Sequence, residues 1–327
     1  MRSLIKHARA FSAMQYVPLP KTTLPEPLKI LPFSYFQILN EFKDGEPFRN
    51  GEISHQIFIA TDKYGAKYFL KDKATDRRVN TQNSDYQRFL AEKEVLAGML
   101  ARSLNGGHHS PETFIVEGRD KDDNPKYYVA SKEIEHFIEL PSIRLAMGIN
   151  DDDPLFTVDN DGKTKIKSGQ ASIQVTGRIL CRNVRRFLGD GDDNAKNTGL
   201  IINGKKRGTI TNIDFDSCFS QILEYTAEDL AFGDAGSIIS ELNVPKAQKS
   251  TMLCREAVKK EVFGKIASID SNELENFIKG CFCTTSHEKF GDKISDIIQG
   301  QKETLKIYKN AYEILLSKEQ TAQKSVA

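Results

Sequence analysis

The residue pattern changes from mostly strand-like to mostly helical near residue 135, and this change limits the folds that the chain can adopt. Four segments upstream of it are rich in strand-forming residues: 53–61, 66–71, 113–117 and 126–131. The first two flank the turn sequence 62–65, which predicts a β-hairpin. Apolar residues recur at helical spacing over 86–104 and glycines follow, so a helix is expected between the two pairs of strands.

Downstream of residue 135 the pattern favours helices. A single helix is predicted over 169–188, and residues 227 to 318 have mostly helical spacing. Between them, segments 199–202 and 209–215 flank an Asn-Gly pair, which is a strong hairpin signal. The expected fold class is α+β, with a small strand-rich N-terminal lobe and a larger helical C-terminal lobe. The predicted divisions are an N-terminal extension over 1–40, lobes over 41–133 and 134–320, and a tail over 321–327.

Composition excludes several classes of protein. No apolar run in the sequence approaches the roughly 18 residues that a membrane span requires. Lys and Arg number 46 against 45 Asp and Glu, for a net charge of +1, which argues against a dedicated nucleic-acid binder. Five scattered cysteines are typical of a reducing compartment, so a cytosolic location is expected.

The segment 189–219 contains the residues most typical of chemistry. Asp192 and Asn197 lie in a Gly-, Asp- and Asn-rich loop, and Asp214 follows beyond the predicted hairpin. Phosphoryl transfer from a nucleotide needs a carboxylate at the acceptor hydroxyl and oxygen ligands that hold Mg²⁺ against the phosphates. Such a loop is by itself also typical of a solvated turn. The apolar strand after Asn197, the Ile-Asp-Phe sequence around Asp214 and a lysine-bearing strand upstream favour the functional interpretation.

The loop also resembles that of a known group of kinases. D-D-N-A-K-N-T-G-L-I at 192–201 resembles the catalytic loop of HipA-like kinases and is similar to the loops of actin-fragmin and phosphatidylinositol kinases. Those loops usually have histidine at the position of Asn194. The resemblance extends thinly over 50–219, and divergent secreted bacterial effector kinases are nearest in character. It implies a bilobal, protein-kinase-like form of the α+β fold.

The resemblance also implies roles for the residues around the loop. Asp192 would be the catalytic aspartate, Asn197 a metal ligand and Asp214 the principal metal aspartate. Asp216 is either a secondary metal ligand or the cap of a following helix. Upstream, Lys71 ends a strand as the lysine on the third strand of kinases does, and would contact the α- and β-phosphates.

The remaining nucleotide contacts are predicted in the N-terminal lobe. The glutamate that pairs with the strand lysine is either Glu92, which lies on the apolar face of the predicted helix, or Glu94, which matches the family spacing better. A turn that contains Gly51 and Ser54 would cover the phosphates. The backbone of 131–133, from Ser131 to Glu133, would hydrogen-bond adenine.

Basic residues form three clusters near the predicted site. They are Arg77 and Arg78; Arg178, Arg182, Arg185 and Arg186; and Lys205, Lys206 and Arg207. Runs of charge are usually solvated faces, and neighbouring aspartates can neutralise them. Their concentration around one site in a nearly neutral chain favours the hypothesis that they bind a polyanion, either a polyphosphorylated small molecule or an acidic segment.

The sequence therefore predicts an enzyme that transfers phosphate from ATP with Mg²⁺ or Mn²⁺. The favoured acceptor is a Ser or Thr hydroxyl of a protein, with a possible need for a polyanionic activator. Two alternatives remain open: a lipid or inositol kinase, and a catalytically weak kinase-like module that binds polyanions. No nucleic-acid partner and no transmembrane segment are expected, and the location would be the host cytosol if the protein is a secreted bacterial effector.

Overall fold

Two separate six-stranded sheets contain most of the described β-structure, and helices pack on them and beyond them. The computed structural model describes residues 22–25, 28–43, 47–48, 51–52, 56–75, 83–106, 110–150, 155–158, 164–168, 171–190, 197–204, 206–220, 226–233 and 249–324. The first sheet belongs to the N-terminal half of the chain and the second to the middle, and the C-terminal helices follow both.

The first sheet is built around the predicted hairpin. In chain order the strands are β1 (Ile30–Pro32), β2 (Phe36–Phe42), β3 (Pro47–Phe48), β4 (Gly51–Glu52), β5 (Ile57–Asp62), β6 (Lys67–Asp72), β7 (Thr113–Arg119) and β8 (Pro125–Lys132). Six of them form the sheet, in the order β1-β7-β8-β6-β5-β2, and only β1 and β7 are parallel neighbours. The hairpin prediction is confirmed by β5 and β6. The sheet begins at Ile30, inside the segment 1–40 predicted as an extension, because an edge strand tolerates the prolines around it.

Helix α1 (Ser84–Asn105) packs on one face of this sheet and confirms the helix predicted over 86–104. The side chain of Asn83 caps its first turn by accepting two backbone N–H groups. Gly106 ends the helix in the left-handed conformation, with φ 82°. Val95 of α1 is fully buried in a cluster with residues of β7 and β8. The sheet thereby sets the position of the helix that carries Glu94.

The second sheet carries the other half of the predicted site. Its elements are β9 (Phe137–Glu139), α2 (Leu140–Ala146), β10 (Thr157–Val158), β11 (Thr164–Ser168), β12 (Ala171–Thr176), α3 (Arg178–Phe187), β13 (Thr198–Ile202) and β14 (Arg207–Asn212). The strand order is β10-β11-β12-β14-β13-β9, with β12 parallel to β14. The hairpin predicted at Asn203-Gly204 is confirmed by β13 and β14, with Gly204 at φ 88°. The C-terminal lobe therefore holds more β-structure than the one hairpin expected.

The prediction of a single helix over 169–188 is wrong. Residues 171–176 form β12, and α3 begins only at Arg178. Residues 171–176 form a strand rather than a helix because Val175 is buried in a cluster with Ile166 and Leu200, and because β14 supplies parallel backbone partners. Gly177, at φ 81°, separates the strand from the helix in a conformation that disfavours other residues.

The C-terminal helices join the two lobes through one large apolar core. A π-helical turn, Asp229–Gly233, precedes α4 (Lys249–Ala267), α5 (Ser271–Gly280) and α6 (Thr284–Lys324), which is interrupted at Phe290. Leu96 of α1, Phe187 of α3 and Tyr308 of α6 belong to the same buried cluster. The predicted α+β class with two lobes is confirmed, and α1 is packed from both sides. None of the described helices is long and apolar enough to cross a membrane.

Glu92 fastens α1 to α6 through polar contacts. This side chain is 1% exposed, and its Oε2 accepts the hydroxyl of Ser286 at 2.6 Å. Its Oε1 accepts the backbone N–H of Cys283 at 3.2 Å and Arg88 Nε at 3.0 Å. A buried carboxylate is stable only when such donors surround it, so this position couples the helix to the C-terminal part of the chain.

We expect Ser286→Ala to lower the free energy of unfolding by about 1–3 kcal/mol, because Glu92 Oε2 would lose its hydroxyl donor in a buried place. Urea denaturation followed by circular dichroism measures the change. Ser317→Ala is the matched control, since Ser317 is an exposed α6 residue that bonds only to backbone of its own helix. An equal effect of the two substitutions would contradict the proposed coupling.

Candidate functional site

Lys71, at the end of β6, is the centre of the site. Its Nζ lies 3.0 Å from Glu94 Oε1 of α1 and also forms an ion pair with Asp214, beyond the β13–β14 hairpin. Burial alone would lower the pKa of Lys71, but Asp214 and Glu94 outweigh burial and raise it. Lys71 is therefore charged, and its ammonium links the N-terminal lobe to the C-terminal lobe.

Of the two candidate glutamates, Glu94 is the one that contacts Lys71. Its second oxygen, Oε2, forms an ion pair with Lys73, which follows β6. Burial would raise the pKa of Glu94, but Lys71 and Lys73 lower it below its usual value. Glu92 instead bonds to Ser286 and Cys283 on the side of α1 that faces the C-terminal helices. The spacing argument from the sequence and the geometry therefore agree on Glu94.

The end of the hairpin places Asp214 opposite Lys71. The last pair of the β13–β14 ladder joins Thr198 to Asn212, and the N–H of Ile213 then donates to the carbonyl of Asn197 at 2.8 Å. Asp214 follows with φ 66°, in the left-handed region that costs free energy for a residue with a side chain. Asn197 and Asp214, which the sequence separates by a hairpin, are thus neighbours.

Carboxylates crowd around this point. Burial raises the pKa of Asp214 to about 6, an effect that Lys71 opposes and that Asp216 and Glu94 reinforce. Asp216 lies in a turn, where the hydroxyl of Ser217 donates to its Oδ1 at 3.1 Å. The predicted alternative role of Asp216, as cap of a following helix, is not seen, since residues 216–220 form a turn.

The residues present fit a divalent cation. Asp214 and Asp216 are carboxylates, Asn197 offers an amide oxygen, and these are the ligands that Mg²⁺ takes. Burial is the main cause of the raised pKa of Asp214 and the carboxylates of Asp216 and Glu94 add to it, so a bound cation would favour the charged form. Asp192, the predicted catalytic residue, lies in 191–196, outside the described residues.

Arg185 holds the two ends of that loop together. Its Nε lies 2.8 Å from Asp190 Oδ2, just before the loop, and its Nη1 donates to Thr198 Oγ1 at 3.3 Å, just after it. Thr198 Oγ1 in turn donates to Asn212 Oδ1 at 3.1 Å. Arg185 is therefore buried and paired, and its assignment to a surface stripe that binds polyanions is wrong. The alternative, that nearby aspartates neutralise the arginines, holds for this residue.

The other predicted anion contacts have mixed surroundings. The guanidinium of Arg178 lies 4.4 Å from the ring centre of Phe156. Arg182 and Arg186 are half-buried, and Lys206 and Arg207 are exposed on the β13–β14 turn. Arg77, Arg78 and Lys205 lie outside the described residues. Among the described residues of the three clusters, Lys206 and Arg207 are thus the two exposed basic side chains near the hairpin.

The backbone predicted to bind adenine is partly engaged within the sheet. Ser131 pairs with strands on both sides, the N–H of Lys132 donates to Glu112 at 2.8 Å, and that of Glu133 donates to Lys67 at 2.8 Å. Backbone donors for adenine would therefore have to come from the residues after Glu133. Gly51 pairs with Phe48 in a short ladder, and Ser54 lies outside the described residues.

One feature of the site was missed by sequence reasoning. Lys73 contacts Glu94, and the Lys71-Asp-Lys73 sequence contains the signal, because alternate residues of a strand point to the same face.

The combination of a strand lysine, a helix glutamate and an aspartate beyond a hairpin is how protein kinases hold ATP phosphates and Mg²⁺. The two lobes of the observed α+β fold bring these three residues together, as the resemblance of the loop sequence implied. Among solved structures the chain is similar to a Helicobacter pylori proinflammatory kinase, CtkA, with 15% identity and a TM-score of 0.45, over 88% of this chain and 99% of that one. No protein-family model matches the chain, and no curated protein sequence matches it.

We expect Arg185→Met to lower the free energy of unfolding by about 3–5 kcal/mol, because it leaves the buried carboxylate of Asp190 without its cation. Arg182→Met, three residues away on a half-buried side chain, should change it by no more than about 0.5 kcal/mol. Urea denaturation of both variants tests this. If the two variants unfold at the same urea concentration, Arg185 does not hold the loop ends.

The raised pKa of Asp214 predicts a pH-dependent stability. The folded-state pKa is about 6, above the roughly 3.9 expected for an unfolded chain, so its stabilising contribution is complete below the unfolded value and is lost as pH rises through about 6. Compared with Asp214→Asn, which does not titrate, the wild type should lose about 1–3 kcal/mol between about pH 4 and pH 7. Parallel stability curves for the two proteins, measured by urea denaturation, would contradict the raised pKa.

Proposed function

We propose that the chain is an ATP- and Mg²⁺-dependent phosphotransferase that acts on Ser or Thr hydroxyls of a protein. The observation that carries the proposal is the position of Lys71 between Glu94 and Asp214. Two carboxylates from different lobes converge on one buried ammonium. Burying such charges carries a desolvation cost, and charged groups with perturbed pKa values cluster at functional sites.

Each partner of Lys71 has a role when nucleotide binds. Glu94 orients the ammonium toward the α- and β-phosphates. Asp214, with Asn197 and Asp216, would hold Mg²⁺, which supplies neutralisation of the phosphate charge. With nucleotide and Mg²⁺ bound, Lys71 would pair with phosphate oxygens and Asp214 with the cation, in place of their ion pair with each other. The charges of the site thus remain balanced in both states.

Asp192 would accept the proton of the acceptor hydroxyl or orient that hydroxyl. It belongs to the segment between Asp190 and Thr198, the two residues that Arg185 joins, and it precedes Asn197 by five residues in the sequence. A loop that is tied at both ends can hold a carboxylate near the metal ligands at small entropic cost. This role separates Asp192 from Asp214, because it acts on the chemical step rather than on nucleotide binding.

A polyanion would act on this enzyme as an activator. Lys206 and Arg207 are exposed on the hairpin whose far end carries Asp214, so an acidic segment or a polyphosphorylated small molecule bound there would contact the element that positions the metal ligands. Inositol hexakisphosphate is a suitable probe. If inositol hexakisphosphate does not change the activity and phosphoryl transfer is weak, the result would favour a kinase-like module with little catalysis.

We expect Asp214→Asn to lower phosphoryl transfer at least ~100-fold while leaving the fold intact, because it removes the principal metal carboxylate. Asparagine is chosen because it tolerates the left-handed backbone of this position. Asp123→Asn is the matched control, since Asp123 also has a positive φ, 65°, but lies exposed in the β7–β8 turn.

The assay uses radiolabelled ATP with Mg²⁺ or Mn²⁺, a generic protein substrate and a panel of phosphoinositides. Label on protein supports the proposed acceptor, and label on lipid would assign a lipid kinase instead. Asp192→Ala should lose turnover and retain ATP binding in calorimetry. Full activity of a folded Asp214→Asn protein would overturn the kinase proposal.

A further inference from the structure

Lys73 is a second buried lysine on the same glutamate. It is 2% exposed, and its Nζ pairs with Glu94 Oε2 while Lys71 occupies Oε1. The backbone N–H of Lys73 donates to the carbonyl of Tyr127 in β8 at 3.1 Å, which fixes the residue just after the end of β6. A single buried carboxylate is therefore shared between two buried ammonium groups.

The sharing matters because Lys71 has more than one partner. Lys71 is divided between Glu94 and Asp214, whereas Lys73 forms its ion pair with Glu94. A phosphate group that draws on Lys71 takes part of the cation from Glu94. Without a second cation, that buried carboxylate would hold Lys71 back, since an uncompensated buried charge is strongly unfavourable.

We infer that Lys73 is a positioning residue, which neutralises Glu94 so that Lys71 is free to serve the phosphates of the nucleotide. The inference rests on the proposed function. Lys73 acts through Glu94, and Glu94 through Lys71.

A purely structural role for Lys73 would have a different signature. Lys126 offers the comparison, because this partly exposed lysine of β8 also forms an ion pair with a fully buried carboxylate, that of Asp72 in β6, at 2.6 Å. Asp72 lies between Lys71 and Lys73 in sequence and therefore points to the other face of β6. Loss of Lys126 should reduce stability and leave nucleotide use unchanged.

The experiment measures kcat and the KM for ATP in wild type, Lys73→Met, Lys73→Arg and Lys126→Met, with thermal unfolding of each protein. We expect Lys73→Met to raise KM roughly tenfold and to lower kcat less than about threefold, because ground state and transition state lose the same contact with Lys71. Lys73→Arg, which keeps the positive charge, should have a KM for ATP close to the wild-type value. Lys126→Met should lower the unfolding temperature with an unchanged KM.

A double-substitution cycle keeps the test independent of folding defects. In the Glu94→Gln background the charge that Lys73 neutralises is absent, so adding Lys73→Met should change KM less than about twofold. The inference would be overturned if Lys73→Met changed the KM for ATP equally in both backgrounds, or left it unchanged in an otherwise wild-type protein that is active. Either result would leave the proposed function standing. A wild type that neither binds ATP with Mg²⁺ nor transfers phosphate would overturn the proposed function, and the inference with it.

Discussion

The ion pairs of Lys71 are the interaction on which the rest of the site depends. They bring together a strand of the N-terminal sheet, helix α1 and the segment after the β13–β14 hairpin. Burying one ammonium and two carboxylates is unfavourable unless the charges are close and well oriented. The fold therefore has to position three distant segments accurately, and much of its architecture is explained by that need.

Two kinds of contact satisfy the need. Apolar packing places α1 between the N-terminal sheet and the C-terminal helices, so that Glu94 faces the site while Glu92 bonds to α6. Buried polar contacts position the start of the hairpin, because Arg185 bonds to both Asp190 and Thr198. Asp216 and Glu94 lie near Asp214, and this crowding of carboxylates adds to burial in raising its pKa. Such crowding is typical of sites that receive a cation.

The sequence predicted the elements whose signals are local. The β5–β6 and β13–β14 hairpins have glycine at the turn positions that need a positive φ, and α1 has its apolar spacing and its terminal glycine. Sequence reasoning failed at β12, where a short strand was taken as the start of a helix. Residues 171–176 depend on β14 for backbone partners, and a pairing with a strand more than thirty residues away has no signature in the segment itself.

For the site, the sequence by itself determined which chemical groups are present and their order: a strand lysine, two helix glutamates, and Asp and Asn around a hairpin. Only the tertiary structure decided between Glu92 and Glu94, because both lie on α1 and the choice depends on which side faces β6 and which faces α6. It also decided that Arg185 is an internal cation and that Lys73 shares Glu94. Burial and long-range charge pairing set these outcomes, and both depend on segments that meet only when the chain has folded.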